Sequence, residues 1–357
     1  YTSVLEAIAQ FGGVPYELRQ RLAAKAYART ANYDAAISNW FAGTLGFQEM
    51  PWRSFSGSLR EVMRYGENPH QKGVFYGLLD EVFEQLSGKE LSYNNLLDID
   101  AAISLAGEFQ EPMAAVVKHN NACGVSSGPD SMTNWKRALD SDPVSAFGGI
   151  IIITSEIDLP LAEDIGKLFF EVLIAPSFTP EALGYLKSKK NRILLNLNNI
   201  PRPKGLLRSV LNGVLWQSAD DKTEVGSDLK PVTKIAPTTQ QISDMLFANR
   251  IVKHSRSNTI VLAKDNRLLA AGVGQTSRVD ALQQAIEKAQ RFGLDLDGAV
   301  MASDAFFPFP DCVEIAGKAG IKSIIQPGGS LKDQDSINKC DEMGLAMVLT
   351  GFRHFKH

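Results

Sequence analysis

The sequence contains few cysteines and no long apolar run. Its three cysteines, Cys123, Cys312 and Cys340, are far apart in a chain of 357 residues, and no CxxC pair occurs. This usage argues against a disulfide framework or a zinc knuckle and is typical of reduced cytoplasmic thiols. No stretch approaches the roughly 20 apolar residues of a membrane-spanning helix, and no signal-peptide pattern occurs. We therefore expect a cytoplasmic protein without a membrane partner.

A strong excess of charge is also missing. Lysine and arginine total 37 and aspartate and glutamate total 40, so the formal net charge is −3. Such a balance gives no reason to expect a nucleic-acid partner. Hydrophobic residues make up 44% and charged residues 22%, which is ordinary for a globular protein with a buried core. The length suggests two domains or one large duplicated one.

The signatures of several enzyme classes are absent. No HExxH or HxxxH occurs, which argues against zinc peptidases, and the HxE and PCxxC pair of zinc nucleoside deaminases is missing. No P-loop occurs, and Gly272-Val273-Gly274 lacks the third glycine of a dinucleotide fingerprint.

The periodicity predicts an α/β layout. Apolar residues recur at helical spacing over residues 17–41, which predicts one long helix whose apolar stripe must pack on a neighbour. From about residue 60, short apolar runs alternate with helical patterns, which is typical of mostly parallel strands with helices between them. Asp265-Asn266-Arg267 predicts a hairpin turn. The polar stretch 218–239 is interpreted as a connection between two halves.

The strongest candidate for chemistry is the loop that begins at Lys118 and His119, directly after an apolar run. Ligands of α/β proteins bind at the carboxyl ends of strands. An adjacent lysine and histidine there would supply a cation and a titratable base together. The alternative is a surface loop whose polar groups only satisfy the turn.

Two further polar segments have both a functional and a structural interpretation. Residues 64–71 include Arg64, whose planar guanidinium suits a phosphate, but the segment could equally be a structured turn. Residues 274–278 could hold an anion on backbone N–H groups, or could simply provide a helix N-cap through Thr276 or Ser277.

Two segments near the end of the chain are equally ambiguous. Residues 303–311 contain three phenylalanines and two prolines, which suits the wall of a pocket for a flat ligand or a hydrophobic plug. The terminal residues 351–357 are rich in arginine and histidine, which is typical of a solvated tail.

Taken together and in order, these segments resemble one family. The strings "MRYGENPHQ", "KHNNACG", "DPVSAFGG", "SNTIVLAK", "GQTSR", "SDAFFPF" and "RHFKH" are similar to the transformylase domain of the AICAR transformylase/IMP cyclohydrolase family. The resemblance runs from about Ser54 to the last residue, and "RLAAKAYARTANYDAAI" before it resembles the family's connector.

The resemblance implies an α/β fold of duplicated three-layer cytidine-deaminase-like domains with an N-terminal helical connector. The corresponding boundaries are 1–50 for the connector, 51–235 for the first transformylase subdomain and 236–357 for the second. The cyclohydrolase half of the family would precede Tyr1, so we expect this chain to carry only the formyl transfer.

The implied reaction moves a formyl group from 10-formyltetrahydrofolate to the 5-amino group of AICAR, giving FAICAR and tetrahydrofolate in purine (IMP) biosynthesis. The resemblance assigns His119 as the proton acceptor and Lys118 as the cationic stabiliser and proton donor. Asn258 would contact the formyl oxygen in an oxyanion-type role. His357 would close the AICAR site.

The resemblance also implies binding residues. On the AICAR side it assigns Arg64, Tyr65, Asn95, Phe147, Gly148, Glu171, Arg353 and Phe355. On the folate side it assigns Arg278, Val279, Phe306, Pro308 and Phe309. Arg64, Tyr65 and Asn95 would reach in from a partner subunit, so a homodimer with sites at the subunit interface is expected. The resemblance implies that no metal takes part in the chemistry, although the family can hold a structural monovalent cation near the Asn258 loop and Asp304.

Two departures from the family pattern put details in doubt. Ala122 stands where the family commonly has proline, which loosens the backbone of the loop. Pro310, Asp311 and Cys312 replace more usual residues after "FPF", which affects the expected folate contacts. Two alternatives remain open: a binding fragment that is inactive without the rest of the protein, and a deaminase-like hydrolase, which bound zinc would reveal.

Overall fold

The computed structural model describes residues 1–47 and 49–357. Within that part of the chain there are eleven α-helices and sixteen β-strands. The chain divides into two compact units, residues 1–64 with 72–78, and residues 65–71 with 79–357. No helix among the described residues is both long and apolar enough to cross a bilayer.

The first unit is formed by two helices and a short hairpin. The helices are α1 (Thr2–Phe11) and α2 (Tyr16–Leu45), and strands β1 (Leu59–Val62) and β2 (Val74–Tyr76) pair antiparallel. The helix predicted over 17–41 is therefore confirmed, and Gly46 in the left-handed conformation ends it. Its apolar stripe is largely exposed, as Tyr33 and Trp40 show at 67% and 61%.

The second unit contains the remaining elements. Its helices are α3 (Tyr93–Ala106), α4 (Ser131–Ser141), α5 (Pro143–Ala146), α6 (Leu159–Gly166), α7 (Pro180–Lys187), α8 (Thr239–Lys253), α9 (Arg278–Arg291), α10 (Asp311–Lys318) and α11 (Asp333–Met343). Its strands are β3 (Phe83–Ser87), β4 (Met113–Lys118), β5 (Asn121–Ser127), β6 (Ile150–Ile153), β7 (Val172–Ala175), β8 (Ile193–Leu197), β9 (Gly205–Val210), β10 (Gly213–Ser218), β11 (Lys230–Pro231), β12 (Ile260–Lys264), β13 (Arg267–Gly272), β14 (Val300–Ser303), β15 (Ser323–Gln326) and β16 (Ala346–Leu349). Short 3₁₀ helices occur at Leu79–Glu81 and Gly226–Asp228.

Twelve of the described strands form one mixed sheet in the order β11-β16-β15-β14-β12-β13-β5-β4-β6-β7-β8-β3. On each side of the central β13–β5 pair the connections are the same. An antiparallel hairpin (β4–β5 or β12–β13) is followed by a strand antiparallel to its first member and then by two parallel strands. The α/β class is thus confirmed, and the predicted turn at Asp265 and Asn266 joins β12 to β13. The prediction of mostly parallel strands with some antiparallel pairs is wrong, because seven of the eleven neighbouring pairs in this sheet are antiparallel.

Each half has its own apolar core between the sheet and its helices. One core is built around Trp135 and Phe170 with Ile151 and Ile153 of β6, and the other around Phe307 with alternate side chains of β12, β14 and β15. In both halves a glycine lets a helix approach the hairpin closely. A Cβ on Gly124 would lie 1.9 Å from the carbonyl oxygen of Ala138, and one on Gly272 would lie 1.8 Å from that of Ala281.

Candidate functional site

The Lys118–His119 pair lies in the tight turn between β4 and β5. His119 and Asn120 both have left-handed backbone angles, with φ of 51° and 62°. The Nζ of Lys118 donates a hydrogen bond to the carbonyl oxygen of Phe147 at 2.7 Å. Phe147 is 59% exposed and directly precedes Gly148, so two predicted AICAR-side residues lie beside the predicted catalytic lysine. Because His119 is exposed, its imidazole is accessible to a ligand.

A carboxylate that sequence reasoning missed holds this turn. Asp98 of α3 accepts the backbone N–H of Asn120 on Oδ1 at 2.6 Å and that of His119 on Oδ2 at 3.3 Å. Nothing in the local sequence of α3 marks Asp98, because its partners lie about twenty residues further along the chain.

The turn packs against the other half of the sheet. A cavity of about 10 Å³, roughly the space of one water molecule, lies between the turn and the end of α8. Asn120 and Ala122 line it on one side, and Ile251, His254 and Ser255 line it on the other. The segment after α8 leads to Asn258, so residues from both halves contribute to one region.

Asn258 belongs to a polar network with Arg278 and Asp304. The guanidinium of Arg278 donates through Nη2 to Asn258 Oδ1 and to Asp304 Oδ1, each at 2.8 Å. The Nδ2 of Asn258 donates to the carbonyl oxygens of Gln275 and Thr276 at 2.9 and 3.2 Å. Both N–H groups of the Asn258 amide are thus satisfied within the chain. The Ser257–Asn258 peptide bond is cis.

The network lies at the same end of the central strands as the Lys118–His119 turn. Strand β5 starts at that turn, and β13 runs antiparallel to β5, so β13 ends where β5 begins. Asn258 lies two residues before the start of β12, whose first residue pairs with the last residue of β13. The predicted alternative for residues 274–278 is present as well, since the Ser277 side chain caps α9 by accepting the N–H of Asp280 at 3.1 Å.

Two of the predicted AICAR-side residues, Asn95 and Glu171, contact one another. Asn95 Nδ2 donates to Glu171 Oε2 at 2.9 Å, while Asn95 Oδ1 accepts the backbone N–H of Ser92 in a capping box at the start of α3. Glu171 also lies 3.6 Å from the Nζ of Lys89. Asn95 therefore has a structural role in this chain in addition to its predicted one.

The segment that contains Arg64 and Tyr65 enters a structured turn. The N–H of Gly66 donates to the carbonyl of Gln71 at 2.8 Å, and Gln71 Oε1 accepts the N–H of Asn68 at 2.9 Å. The structural interpretation of residues 66–71 is therefore correct. Arg64 is exposed and Tyr65 is half-buried.

The C-terminal tail is anchored by hydrogen bonds, although only His354 among its seven residues is buried. The N–H of His354 donates to the carbonyl of Asp304 at 3.1 Å, and the backbones of Lys356 and Ser257 are also hydrogen-bonded. The guanidinium of Arg353 lies 4.4 Å from the ring centroid of Phe355, whose ring is 5.4 Å from that of His357. The three predicted tail residues therefore form one continuous group.

The anchor of the tail is His354, which sequence reasoning also missed. It is 3% exposed, and its Nδ1 and Nε2 contact Asp220 at 2.6 Å and Glu224 at 2.8 Å. Burial lowers the pKa of His354, but its hydrogen bonds to the two carboxylates outweigh burial and raise the pKa to about 9. Asp220 and Glu224 belong to the stretch 218–239, which is thus more than a connection.

The phenylalanine-rich loop is in part the predicted hydrophobic plug. Phe307 is fully buried in the core, as a plug would be. Phe306 is half-buried, and Phe309 is 52% exposed with the Nζ of Lys332 4.4 Å from its ring centroid. Pro308 is exposed, so the loop presents an apolar surface outside the core.

Next to the small cavity, the partly buried carboxylate of Glu108 is at the centre of a second charged cluster. Glu108 contacts the Nζ of Lys253 at 2.8 Å and Nε2 of His254 at 2.9 Å, and Thr223 donates to it as well. Burial raises the pKa of Glu108, but hydrogen bonds from His254, Lys253 and Thr223 outweigh burial and lower the pKa to about 2. Among the described residues, no three His, Cys, Asp or Glu side chains are placed to hold a metal ion.

A mixed sheet flanked by helices, with polar groups from both halves gathered at one strand edge, defines an α/β protein with a candidate enzyme site. Residues 1–288 match the family described as AICARFT/IMPCHase bienzyme. The chain is 54% identical over 360 residues to the bifunctional purine biosynthesis protein PurH of Bacteroides thetaiotaomicron, and the match covers 100% of this chain and 70% of that protein. The chain therefore belongs to the AICARFT/IMPCHase bienzyme family.

Other relatives and one solved structure complete the comparison. PurH of Mesorhizobium japonicum is 47% identical over 376 residues, with 100% of this chain and 70% of that protein covered. PurH of Ruminiclostridium cellulolyticum is 47% identical over 369 residues, with 100% and 71% covered. A Thermotoga maritima diaminohydroxyphosphoribosylaminopyrimidine deaminase/5-amino-6-(5-phosphoribosylamino)uracil reductase is 22% identical over 31% of this chain and 35% of its own. Its TM-score of 0.22 is too low to inform the fold.

Proposed function

We propose that this chain is the formyltransferase that moves the formyl group of 10-formyltetrahydrofolate to the 5-amino group of AICAR in purine biosynthesis. Membership of the AICARFT/IMPCHase family carries the reaction class. The observation that carries the site is the Lys118–His119 turn at the sheet edge, where Lys118 Nζ is oriented by the Phe147 carbonyl. The family assignment favours an active transferase over the inactive fragment that the sequence alone left open.

The proposed chemistry follows from the groups in this region. The amine nitrogen attacks the formyl carbon, and the carbon–nitrogen bond to N10 of the folate breaks. His119 takes the proton that the amine loses, and the ammonium group of Lys118 donates a proton to the leaving folate nitrogen. The cationic Lys118 and the amide of Asn258 stabilise the charge that develops on the formyl oxygen.

Further site assignments are part of the same proposal. Arg64, Arg353 and Tyr65 would hold the phosphate of AICAR, since guanidinium groups bind phosphates in a bidentate way. Phe147, Gly148, Glu171, Asn95 and Phe355 would line its base and ribose, and His357 would close the site. Their support is local: Lys118 contacts Phe147, Arg353 stacks on Phe355, and the ring of Phe355 lies beside that of His357.

The folate would lie along the phenylalanine-rich loop. The exposed Phe309 and Pro308 and the half-buried Phe306 suit a flat pterin and its linker, with Val279 beside Arg278 at the start of α9. Asp304 Oδ2 is buried and has no hydrogen-bond partner among the described residues, which fits a monovalent cation beside the Asn258 loop. Arg278 already pairs with Asp304 Oδ1, and such an ion would provide a partner for Oδ2.

We also propose a cytoplasmic homodimer of duplicated cytidine-deaminase-like domains, bounded at 1–50, 51–235 and 236–357. The matching order of elements in the two halves of the sheet supports the duplication. Exposed apolar side chains on α2 and on the β9–β10 hairpin, such as Trp40, Leu211 and Leu215, fit an interface between two copies. The three cysteines form no disulfide, as reduced thiols would.

The assay is steady-state turnover of AICAR with 10-formyltetrahydrofolate. We expect His119→Ala and Lys118→Ala to lower kcat by at least about 100-fold, as general acid–base groups do. The matched control is the turn between β12 and β13, where Lys264→Ala and Asp265→Ala should leave kcat unchanged. Wild-type kcat in His119→Ala would refute the base assignment. Sedimentation of the active protein tests the homodimer, and turnover by a monomer would refute a shared site.

A further inference from the structure

The turn that carries the catalytic pair has an unfavourable backbone. His119 and Asn120 are both in the left-handed region, as a two-residue hairpin turn of this type requires. Glycine adopts that region without a steric cost, whereas the left-handed conformation is uncommon for histidine and costs it about 1–2 kcal/mol. A local interaction must therefore compensate for the conformation of His119.

Asp98 supplies that interaction. Its carboxylate accepts two consecutive backbone N–H groups, from His119 at 3.3 Å and from Asn120 at 2.6 Å. Hydrogen bonds to a charged acceptor are stronger than neutral ones, so the carboxylate favours this turn over other conformations. It bonds to the backbone, so its effect on His119 is to set the direction in which the side chain leaves the chain.

The protein contains a second copy of this arrangement. Asp265 and Asn266, between β12 and β13, have φ of 54° and 51°. Asp244 accepts the N–H of Asn266 at 2.7 Å. Asp98 and Asp244 are each the sixth residue of their helix, α3 and α8, and both helices begin with a capping box.

The correspondence extends to the lysine that precedes each turn. Lys118 Nζ donates to the carbonyl of Phe147, just before β6, and Lys264 Nζ donates to the carbonyl of Asp297, just before β14. The two turns lie at opposite ends of the central strands, because β5 begins at the first turn while its antiparallel neighbour β13 begins at the second. A helix carboxylate that accepts a backbone N–H of the turn is thus common to both halves of the sheet. The first turn differs in having His119 where the second has Asp265.

We propose that Asp98 is a positioning residue for the Lys118–His119 pair, which it acts on by fixing the left-handed turn. This inference rests on the proposed formyl transfer. It predicts that loss of Asp98 lowers kcat, whereas loss of Asp244 removes the same kind of contact from a turn that takes no part in the reaction.

The experiment compares Asp98→Ala and Asp98→Asn with Asp244→Ala and Asp244→Asn in the full chain. We expect Asp98→Ala to lower kcat about 10- to 100-fold, the effect of displacing a catalytic group by about 1 Å. The KM values for both substrates should change much less. Asp98→Asn, which keeps one carbonyl acceptor, should recover part of the activity. The Asp244 variants should keep wild-type kcat while losing thermal stability to a similar extent.

Two further readouts separate positioning from other roles. The pH profile of kcat in Asp98→Ala should keep the midpoint of the wild type, while its maximal kcat should be lower. A shifted midpoint would mean that Asp98 acts on the imidazole electrostatically and would overturn the proposal. Amide exchange at His119 and Asn120 should accelerate in the Asp98 variants and stay unchanged in the Asp244 variants. Wild-type kcat in Asp98→Ala would also overturn it.

The exchange measurement keeps this inference distinct from the proposed function. A wild-type protein without turnover would refute the formyl transfer and with it any catalytic benefit of Asp98. Faster exchange confined to the first turn in Asp98→Ala would in that case still establish the contact. Unchanged exchange together with normal wild-type turnover would refute the positioning role alone.

Discussion

The buried imidazole of His354 should make the stability of this protein depend on alkaline pH. Its two ring nitrogens contact Asp220 and Glu224, and Asn249 donates to the second oxygen of Glu224 at 2.9 Å. Lys253 on α8 is the nearby cation that also acts on Asp220. In this environment the hydrogen bonds to the two carboxylates outweigh burial, and the doubly protonated ring is the stable form at neutral pH.

The magnitude follows from the displacement of the pKa. A rise from 6.5 to about 9 corresponds to about 3 kcal/mol, at 1.36 kcal/mol per pKa unit. This is an upper figure, because the Asp220 side chain is 45% exposed and solvent screens its share. Since the pKa is raised on folding, the contribution is complete below about pH 6.5 and is lost as the pH rises through about 9.

The test is urea unfolding of the wild type and of Asp220→Asn between about pH 6.5 and 9.5. The variant keeps a hydrogen-bond acceptor but removes one of the two charges, so its free energy of unfolding should fall less steeply over this range. The matched control is Glu314→Gln, which removes a carboxylate from the exposed Glu314–Lys318 pair and should leave the slope unchanged. Equal slopes for the wild type and Asp220→Asn would refute the reasoning.

Three further outcomes are expected. Gly124→Ala should destabilise the protein by about 3 kcal/mol or more in thermal melts, since its Cβ would overlap the Ala138 carbonyl, whereas Gly184→Ala, with open space around it, should not. Glu108→Gln should flatten the acid-unfolding curve, because a pKa lowered to about 2 gives stability above about pH 4.5 that is lost as the pH falls towards 2; an unchanged curve would contradict this. Arg278→Ala should cost about 3–5 kcal/mol in urea unfolding by leaving buried Asp304 unpaired, with Arg278→Lys less severe, and equal losses would argue against the charge as the cause.

Much of the local structure could be predicted because it depends on neighbouring residues. Apolar residues at helical spacing predicted a helix over 17–41, and α2 spans Tyr16–Leu45. Asp265 and Asn266 predicted a hairpin turn, and the structure has β12 and β13 on either side of it. The N-cap interpretation of Ser277 was also correct. These signals work at short range, since a few consecutive side chains determine a helix end or a turn.

Other interpretations of the sequence were incomplete because they depended on distant residues. The stretch 218–239 was interpreted as a connection, yet its Asp220 and Glu224 hold the C-terminal tail across more than a hundred residues of sequence. The tail itself has the composition of a solvated end, and only its contacts to Asp304 and Ser257 show that it is fixed. Asp98 carried no local signal for the same reason.

By itself, the sequence determined which chemical groups are available and which family the chain resembles. The lysine and histidine of the first turn and the phenylalanine-rich loop were evident from their order along the chain. Only the tertiary structure decided that β13 lies beside β5, that Asp98 supports the turn, and that a second turn repeats its geometry. The physical reason is that strand pairing and the burial of charged groups depend on contacts between residues far apart in the chain, whereas the identity of a side chain does not.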